Sequence, residues 1–384
     1  MLAMVNTTAN PLVIAQVIRD GGGTAPVELT VAAKLRDRGH DVRLYGPPEV
    51  REHADTAGFE LETLDWPADA EGDMIPRMIG ASAAWARTLA PHFRAGADLV
   101  IADCVAFGAP MAARLAGVPC AAVMPTVYVG DQARGSKERW ARATAGLNRA
   151  RTALGLPAVA SVTEQLLDAD RLLVLTSRAF ELPEVRPPAH VRYVGPQLPA
   201  AHAETPYRPP AGDGPLVLVS LSTTDQGQLE LLERLLAAVA GLPVRALVTL
   251  GPAVDADRLR PPANATLARY VPHDLVLPHA GLVVTHAGHG TVLAAVRAGV
   301  PLVCVPMGRD QPAVAERVTR HGLGVALDQG SDVGRLRAAI RGVLADPAYR
   351  EAVRRMAATV EDRVVDEVEV IAATHDRRLP SAPC

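Results

Sequence analysis

An excess of positive charge is missing. The sequence has 39 Lys and Arg against 42 Asp and Glu, a formal net charge of −3. That balance supplies no basic field for nucleic acid or an anionic membrane surface. Cysteine is sparse, with Cys104, Cys120, Cys304 and Cys384 only. Their spacing fits neither a zinc site nor a disulfide framework. Three of them lie within or beside apolar runs and read as small core residues. A reducing cytoplasm is the natural compartment. No apolar run reaches the ~18 residues needed to cross a bilayer. The opening stretch MLAMVNTTANPLVIAQVIRD has no basic region ahead of its apolar part and makes a poor signal peptide. Residues 1–10 read as a short leader. Aromatic residues make up only 3% of the chain, and no low-complexity tract or internal repeat is present.

What is abundant is Ala, Val and Leu, within a hydrophobic fraction of 49% over 384 residues. That is enough for two domains of ordinary size. The first half alternates strand and helix signals. Leu12–Ile18 is an apolar run. Pro26 suits the first position of a helix, Val27, Val31 and Leu35 form its apolar stripe, and Gly39 suits its end. Strands follow at Asp41–Gly46, Phe59–Leu64, Asp98–Ala102 and Val118–Met124. Helical patterns at Glu49–Ala57, Met74–Phe93 and Gly108–Ala116 separate them. Residues 134–154 form a basic amphipathic helix carrying Trp140, read either as a solvated face or as part of an acceptor pocket. Arg171–Thr176 and His190–Val194 are two further strands. A Pro-rich stretch without apolar periodicity then marks a linker, placed at residues 201–214. A second series follows: strand Leu216–Leu221, helix Gln228–Ala240, strand Arg245–Leu250 and strand Thr266–Val271. The tail from Ala348 to Arg378 reads as helical. This alternation predicts an α/β protein with parallel sheets covered by helices on both faces. The expected division is 1–200, the linker, 215–360, and a tail at 361–384.

Four polar or Gly-rich loops fall at predicted strand ends: Asp20–Ala25, Ser222–Gln226, His286–Thr291 and Gly308–Gln311. Ligands of open α/β sheets bind at that edge. The run His286-Ala287-Gly288-His289-Gly290-Thr291 opens a helix. Unpaired N–H groups and the helix dipole there attract phosphate, and Gly288 and Gly290 permit close approach. An imidazolium at His286 would neutralise a diphosphate. The competing reading is a glycine turn with capping histidines. His286 and His289 also have the look of a metal pair, but no third ligand stands out, so no metal is expected. Asp310 and Gln311 precede a helix and suit a bidentate grip on sugar hydroxyls, or Asp310 is a simple N-cap. Tyr270-Val271-Pro272-His273 ends a short strand and offers packing and backbone bonds to a pyrimidine base, or is an ordinary strand terminus. A phosphate site beside a polyol site suits a nucleotide sugar.

At these residues the chain resembles the GT-B glycosyltransferases of the UDP-glycosyltransferase superfamily, especially the bacterial enzymes acting on macrolides, polyketides and other antibiotics. The resemblance centres on THAGHGT…AGVPLVCVPMGRDQPAVAERV. It extends through GGGTAPVELTVAAKLRDRGHDVRLYGPP, VRYVGPQ, VSLSTTDQGQ and ARYVPHDLVLPHAGLVVTHAG. It implies two Rossmann-like domains facing across a cleft, with the tail helix crossing back to the first. His286 would bind the diphosphate, and the backbone of Gly288, His289, Gly290 and Thr291 would hold its phosphates. Asp310 and Gln311 would hold the sugar. Thr223 would approach the diphosphate, and the Val271 backbone would meet the base. The implied reaction is inverting, without metal or other cofactor. It takes a TDP- or UDP-sugar and a small hydrophobic acceptor. A homodimer is compatible with the family.

The chain departs from that pattern in its first loop, Gly22-Gly23-Thr24-Ala25-Pro26. Relatives carry a general-base histidine in an H-x-x-P motif. Pro26 aligns with its proline, so Gly23 stands where the histidine would be. Asp103 matches the aspartate that orients the absent histidine and is a candidate base. Asp131 and Asp20 are others. As capping or solvated-loop residues, Asp103 and Asp131 would have no catalytic part. A carboxylate base suits an acidic acceptor such as a phenol, or C-glycosylation of an aromatic ring. Two other functions stay open: a nucleotide-sugar 2-epimerase, and a non-catalytic partner of another transferase.

Overall fold

The computed structural model describes residues 10–19, 23–64, 74–128, 137–167, 169–199 and 207–376. They form two compact units. The first takes the chain up to Leu175, then Arg186–Gln197, then Arg363 onward; the second takes Thr176–Val185 and Leu198–Asp362.

The sheet of the first unit contains β1 (Val13–Val17), β2 (Asp41–Gly46), β3 (Leu61–Thr63), β4 (Leu99–Asp103), β5 (Cys120–Met124), β6 (Arg171–Val174) and β7 (Val191–Tyr193). Their order is β3-β2-β1-β4-β5-β6-β7, every pairing parallel. Its helices are α1 (Ala25–Asp37), α2 (Arg51–Thr56), α3 (Met74–Arg94), α4 (Gly108–Ala116), α5 (Lys137–Thr152) and α6 (Val162–Leu167). Side chains alternate across a strand, so each strand feeds two cores. Ala15, Val17, Val100, Ala102 and Ala122 join α3 and α4 on one face. Ile14, Leu99, Ile101, Ala121 and Val123 join Val31 and Leu35 of α1 on the other.

In the second unit the strands are β8 (Leu216–Ser220), β9 (Arg245–Thr249), β10 (Ala265–Ala268), β11 (Ala280–Thr285), β12 (Leu302–Cys304) and β13 (Gly324–Ala326). Their order is β10-β9-β8-β11-β12-β13, again all parallel. Helices α7 (Leu229–Val239), α8 (His273–Val276), α9 (His289–Arg297), α10 (Gln311–Arg320), α11 (Val333–Ala345) and α12 (Pro347–Ala357) follow in chain order. Every residue of β8 and β11 is buried, as expected of central strands covered on both faces. The segment Thr176–Val185 is tied to this unit by a buried ion pair. Arg317 Nε on α10 donates to Glu181 Oε1 at 2.7 Å, and His321 stacks on Phe180.

The last described helix, α13 (Val364–Asp376), belongs to the first unit. Val364, Val368 and Ile371 complete the core on the α1 face of the sheet. The tail is therefore two helices rather than one. A break at residues 358–363 separates α12 from α13, and the Arg363 N–H donates to the Val194 carbonyl.

In each sheet the strand order reverses at one place. Chain order runs outward in one direction from β1 and the other from β4, and likewise from β8 and β11. Such switch points open a crevice beyond the carboxyl ends of the two strands. The first holds Ile18 and Arg19 after β1 and Asp103 at the end of β4. The second holds Ser220–Gln228 after β8 and His286–Gly288 after β11.

Candidate active site

Three loops of the second unit share the carboxyl edge of adjacent strands β8, β11 and β12. After β11 the backbone turns sharply into α9. Ala287 takes the left-handed conformation with φ 66°, and Gly288 is the N-cap with extended backbone. The turn residue is thus an alanine, not one of the two glycines that the sequence suggested. Gly288 is needed for a different reason: a Cβ there would lie 2.7 Å from the His286 ring. At Gly290 a Cβ would meet nothing within 4 Å, so its backbone faces open space. The N–H groups of His289, Gly290 and Thr291 open the first turn of α9, where intrahelical partners are lacking. Ala287 and Arg309 (φ 55°) are the described non-glycine residues with positive φ. Both lie in the loops leading to the N-termini of α9 and α10, and backbone strain of this kind clusters at functional sites.

The imidazolium expected at His286 is not what the free site holds. Burial pushes its pKa down to about 4, against opposing pulls from Asp310 and a hydrogen bond with the Ser220 backbone. Near neutrality the ring is uncharged. His289 is likewise pushed down to about 4 by burial, with Arg317 adding to the effect and Asp310 opposing it. Asp310 begins α10 without a side-chain cap bond to that helix, so capping is not the work of its carboxylate.

Gln311 is buried. Its Oε1 accepts from the N–H groups of Met307 (2.8 Å) and Gly308 (3.1 Å), and its Nε2 donates to Gln226 Oε1 at 3.0 Å. The loop after β8 is knitted by its own amides. Gln226 Nε2 donates to Ser222 Oγ, and Gln228 holds the Ser222 and Thr224 carbonyls and the Gln226 N–H. Thr223, on the same loop, is exposed. Beneath these loops, Thr249 Oγ1 donates to Ser220 Oγ at 2.8 Å, and Ser220 Oγ meets His273 Nε2 at 3.0 Å. Strand β10 ends at Ala268, three residues earlier than the sequence pattern suggested. Tyr270 (71% exposed) and the half-buried Val271 therefore lie on a loop beyond it.

In the first unit Gly23 has φ 103° and no atom where a Cβ would stand. Gly22, Asp20 and Asp131 lie outside the described residues. Asp103 sits at the switch point, but its side chain is 0% exposed. Its Oδ1 accepts from Arg19 Nε at 3.0 Å and from the Val105 N–H at 2.8 Å. The second oxygen is also buried. It is neither a cap of α4, whose N-cap is Phe107, nor a carboxylate presented to solvent. Glu28, on the first turns of α1, is fully buried beside it. Burial and the nearby Asp103 charge hold its carboxyl well above the usual range, against the pull of Arg19. Cys104 lies in the same cluster, with burial pushing its thiol well up. Arg19, Glu28 and Gln226 were not singled out from the sequence. Arg19 and Gln226 share one signal, their place on a loop at a strand's carboxyl end. Among the described residues no cluster of three or more His, Cys, Asp or Glu is placed to hold a metal ion, and no helix is long and apolar enough to cross a membrane.

Two doubly wound parallel units, the second carrying a helix N-terminus, His286 and Asp310 at one sheet edge, are the architecture of GT-B glycosyltransferases. The solved structure of the kitacinnamycin glycosyltransferase superposes with a TM-score of 0.78 at 27% identity, covering 96% of this chain and 99% of that one. CalG4, the calicheamicin glycosyltransferase, gives 0.79 at 25% identity, covering 97% and 100%. The chain is a GT-B glycosyltransferase of the natural-product type. Within it, residues 233–371 match the family described as erythromycin biosynthesis protein CIII-like, C-terminal domain. Along nearly its whole length, 91% of this chain and 96% of the relative, it is 28% identical to 4'-demethylrebeccamycin synthase of Lentzea aerocolonigenes.

Proposed function

We propose that the protein transfers a sugar from a TDP- or UDP-sugar to a small hydrophobic acceptor, with inversion at the anomeric carbon and without a metal. The observation that carries this reading is the meeting of three features at the ends of β11 and β12. These are the His286 ring, the open N-terminus of α9, and Asp310 with no capping role. The N–H groups of His289, Gly290 and Thr291 would receive the phosphate oxygens, with the Gly290 backbone open to close approach. Thr223 on the β8 loop would reach the same diphosphate. Asp310 would accept from sugar hydroxyls, while Gln311 would donate. The Val271 backbone and Tyr270 would receive the base.

The acceptor nucleophile attacks C1, the C1–O bond to the diphosphate breaks, and the departing charge falls on the amides and His286. This is electrostatic stabilisation of a leaving group. The incoming negative charge favours protonating the His286 ring, and the imidazolium then donates an N–H to the diphosphate. On the acceptor side Gly23 supplies no base, and Asp103 is buried in an ion pair with Arg19. This arrangement suits an acceptor that gives up its proton readily, such as a phenol or enol, or an aromatic carbon that loses its proton after the new bond forms. Asp131 is the other carboxylate candidate.

The test is to supply TDP- and UDP-sugars with phenolic and polyketide acceptors. Glycosylated product and released nucleoside diphosphate are the expected outcome, undiminished by EDTA. Nucleotide binding without turnover, with turnover restored by a second transferase, would instead identify a helper subunit. No nucleotide binding at all would refute the donor site.

A further inference from the structure

The loops that leave β8 and β12 are joined by a side-chain bridge that the proposed reaction does not itself call for. These strands flank β11 and are not neighbours, so their ends stand about 10 Å apart at the usual strand spacing. The amide-to-amide hydrogen bond from Gln311 Nε2 to Gln226 Oε1 (3.0 Å) spans that gap.

The direction of this bond is fixed. A backbone N–H can only donate, so the two that reach Gln311 from Met307 and Gly308 identify the receiving atom as Oε1. Both lone pairs of that oxygen are then used. One hydrogen of Nε2 goes to Gln226, which leaves one donor and no acceptor for any ligand. Gln226 is itself held by its Nε2 on Ser222 Oγ at 2.6 Å and by its N–H on Gln228 Oε1 at 2.7 Å.

We infer that Gln226 is a positioning residue for the donor sugar: it holds the Gln311 amide so that a single N–H faces the sugar as a donor. This rests on the donor-site reading above and deepens it. The sugar group at Gln311 must present an oxygen that accepts, while hydroxyls that donate go to the Asp310 carboxylate. Gln226 itself need not touch the sugar.

The experiment compares wild type, Gln226→Leu and Gln226→Glu by calorimetric titration with the free nucleoside diphosphate and with the matching nucleotide sugar. The readout is the ratio of the two dissociation constants, which isolates the contribution of the sugar. With Gln226→Leu the ratio should fall by about tenfold, the worth of one well-placed hydrogen bond, while the free diphosphate keeps its affinity within about twofold. With Gln226→Glu, whose carboxylate still accepts from Gln311, the ratio should stay near that of wild type. In turnover, the donor KM should rise with Gln226→Leu and the acceptor KM should not. An equal loss for diphosphate and nucleotide sugar would mean general collapse of the loop and would overturn the inference, as would no loss for either. A wild-type protein that binds neither ligand would fail the donor-site reading itself, a result distinct from both.

Discussion

The cluster of Arg19, Asp103 and Glu28 makes the sharpest prediction, because its members are buried and their charges act on one another. Replacing Arg19 with Met keeps much of the side-chain volume and removes the cation. Asp103 is then a buried carboxylate without its counter-charge, and the expected loss is about 3–5 kcal/mol. The pair sits at 8% and 0% side-chain exposure, so solvent screening relieves little of this. A fluorescence assay suits the question, since the described tryptophans, Trp85 and Trp140, both pack in the core of the first unit. With a urea slope of roughly 2 kcal/mol per molar, the midpoint should fall by about 1.5–2.5 M. Adding Asp103→Asn should return about 1–3 kcal/mol, because the double variant no longer buries a lone charge. Glu28 adds a pH signature. Its folded pKa is raised, so its contribution to stability is fully present below ~4.3 and is lost as pH rises through the folded value. In Glu28→Gln that slope should flatten. A loss below about 0.5 kcal/mol for Arg19→Met, or strict additivity in the double variant, would refute the ion-pair account.

Three more predictions concern the second unit. Gly288→Ala places a methyl group 2.7 Å from the His286 ring. It should weaken nucleoside diphosphate binding by about ten- to a hundredfold, whereas Ala287→Gly, which relieves about 1 kcal/mol of left-handed strain, should leave binding intact; titration of both settles the point. His286 is displaced from 6.5 to about 4, so its contribution to stability is present above its ordinary value and lost as pH falls through about 4. Binding of the diphosphate near pH 6 should therefore take up a proton. Calorimetry in buffers of different ionisation enthalpy should show the uptake, and His286→Gln should abolish it. Arg317→Met, which strands the buried Glu181, should cost the second unit about 3–5 kcal/mol in denaturant melts followed by circular dichroism.

The sequence made the alternation of strand and helix visible because each central strand is a short apolar run and each helix has a 3.6-residue stripe. It also placed His286, Gly288, Asp310 and Gln311 on loops at strand ends, where the structure brings them together. Three kinds of feature stayed out of reach. Strand ends shifted where pairing, not propensity, decides: β10 stops at Ala268 although Tyr270 and Val271 have good strand character. Glu28 was hidden because it falls between Val27 and Val31, and a stripe drawn through those positions gives no sign of a buried acid. The Arg19–Asp103 and Glu181–Arg317 pairs join residues 84 and 136 positions apart. No local pattern carries such pairings. The break between α12 and α13 was missed for a similar reason, since both flanking segments are good helix formers and the interruption follows from where α13 docks.

That docking has a consequence for how the protein is made. Val364, Val368 and Ile371 close the same core as Ile14, yet roughly 350 residues are synthesised between them. At about 5–20 residues per second, the first unit spends roughly 20–70 s on the ribosome with the α13 part of one sheet face uncovered. The second unit, whose last residue is Asp362, has all its parts before α13 exists. The earlier-translated unit is the later one to finish folding.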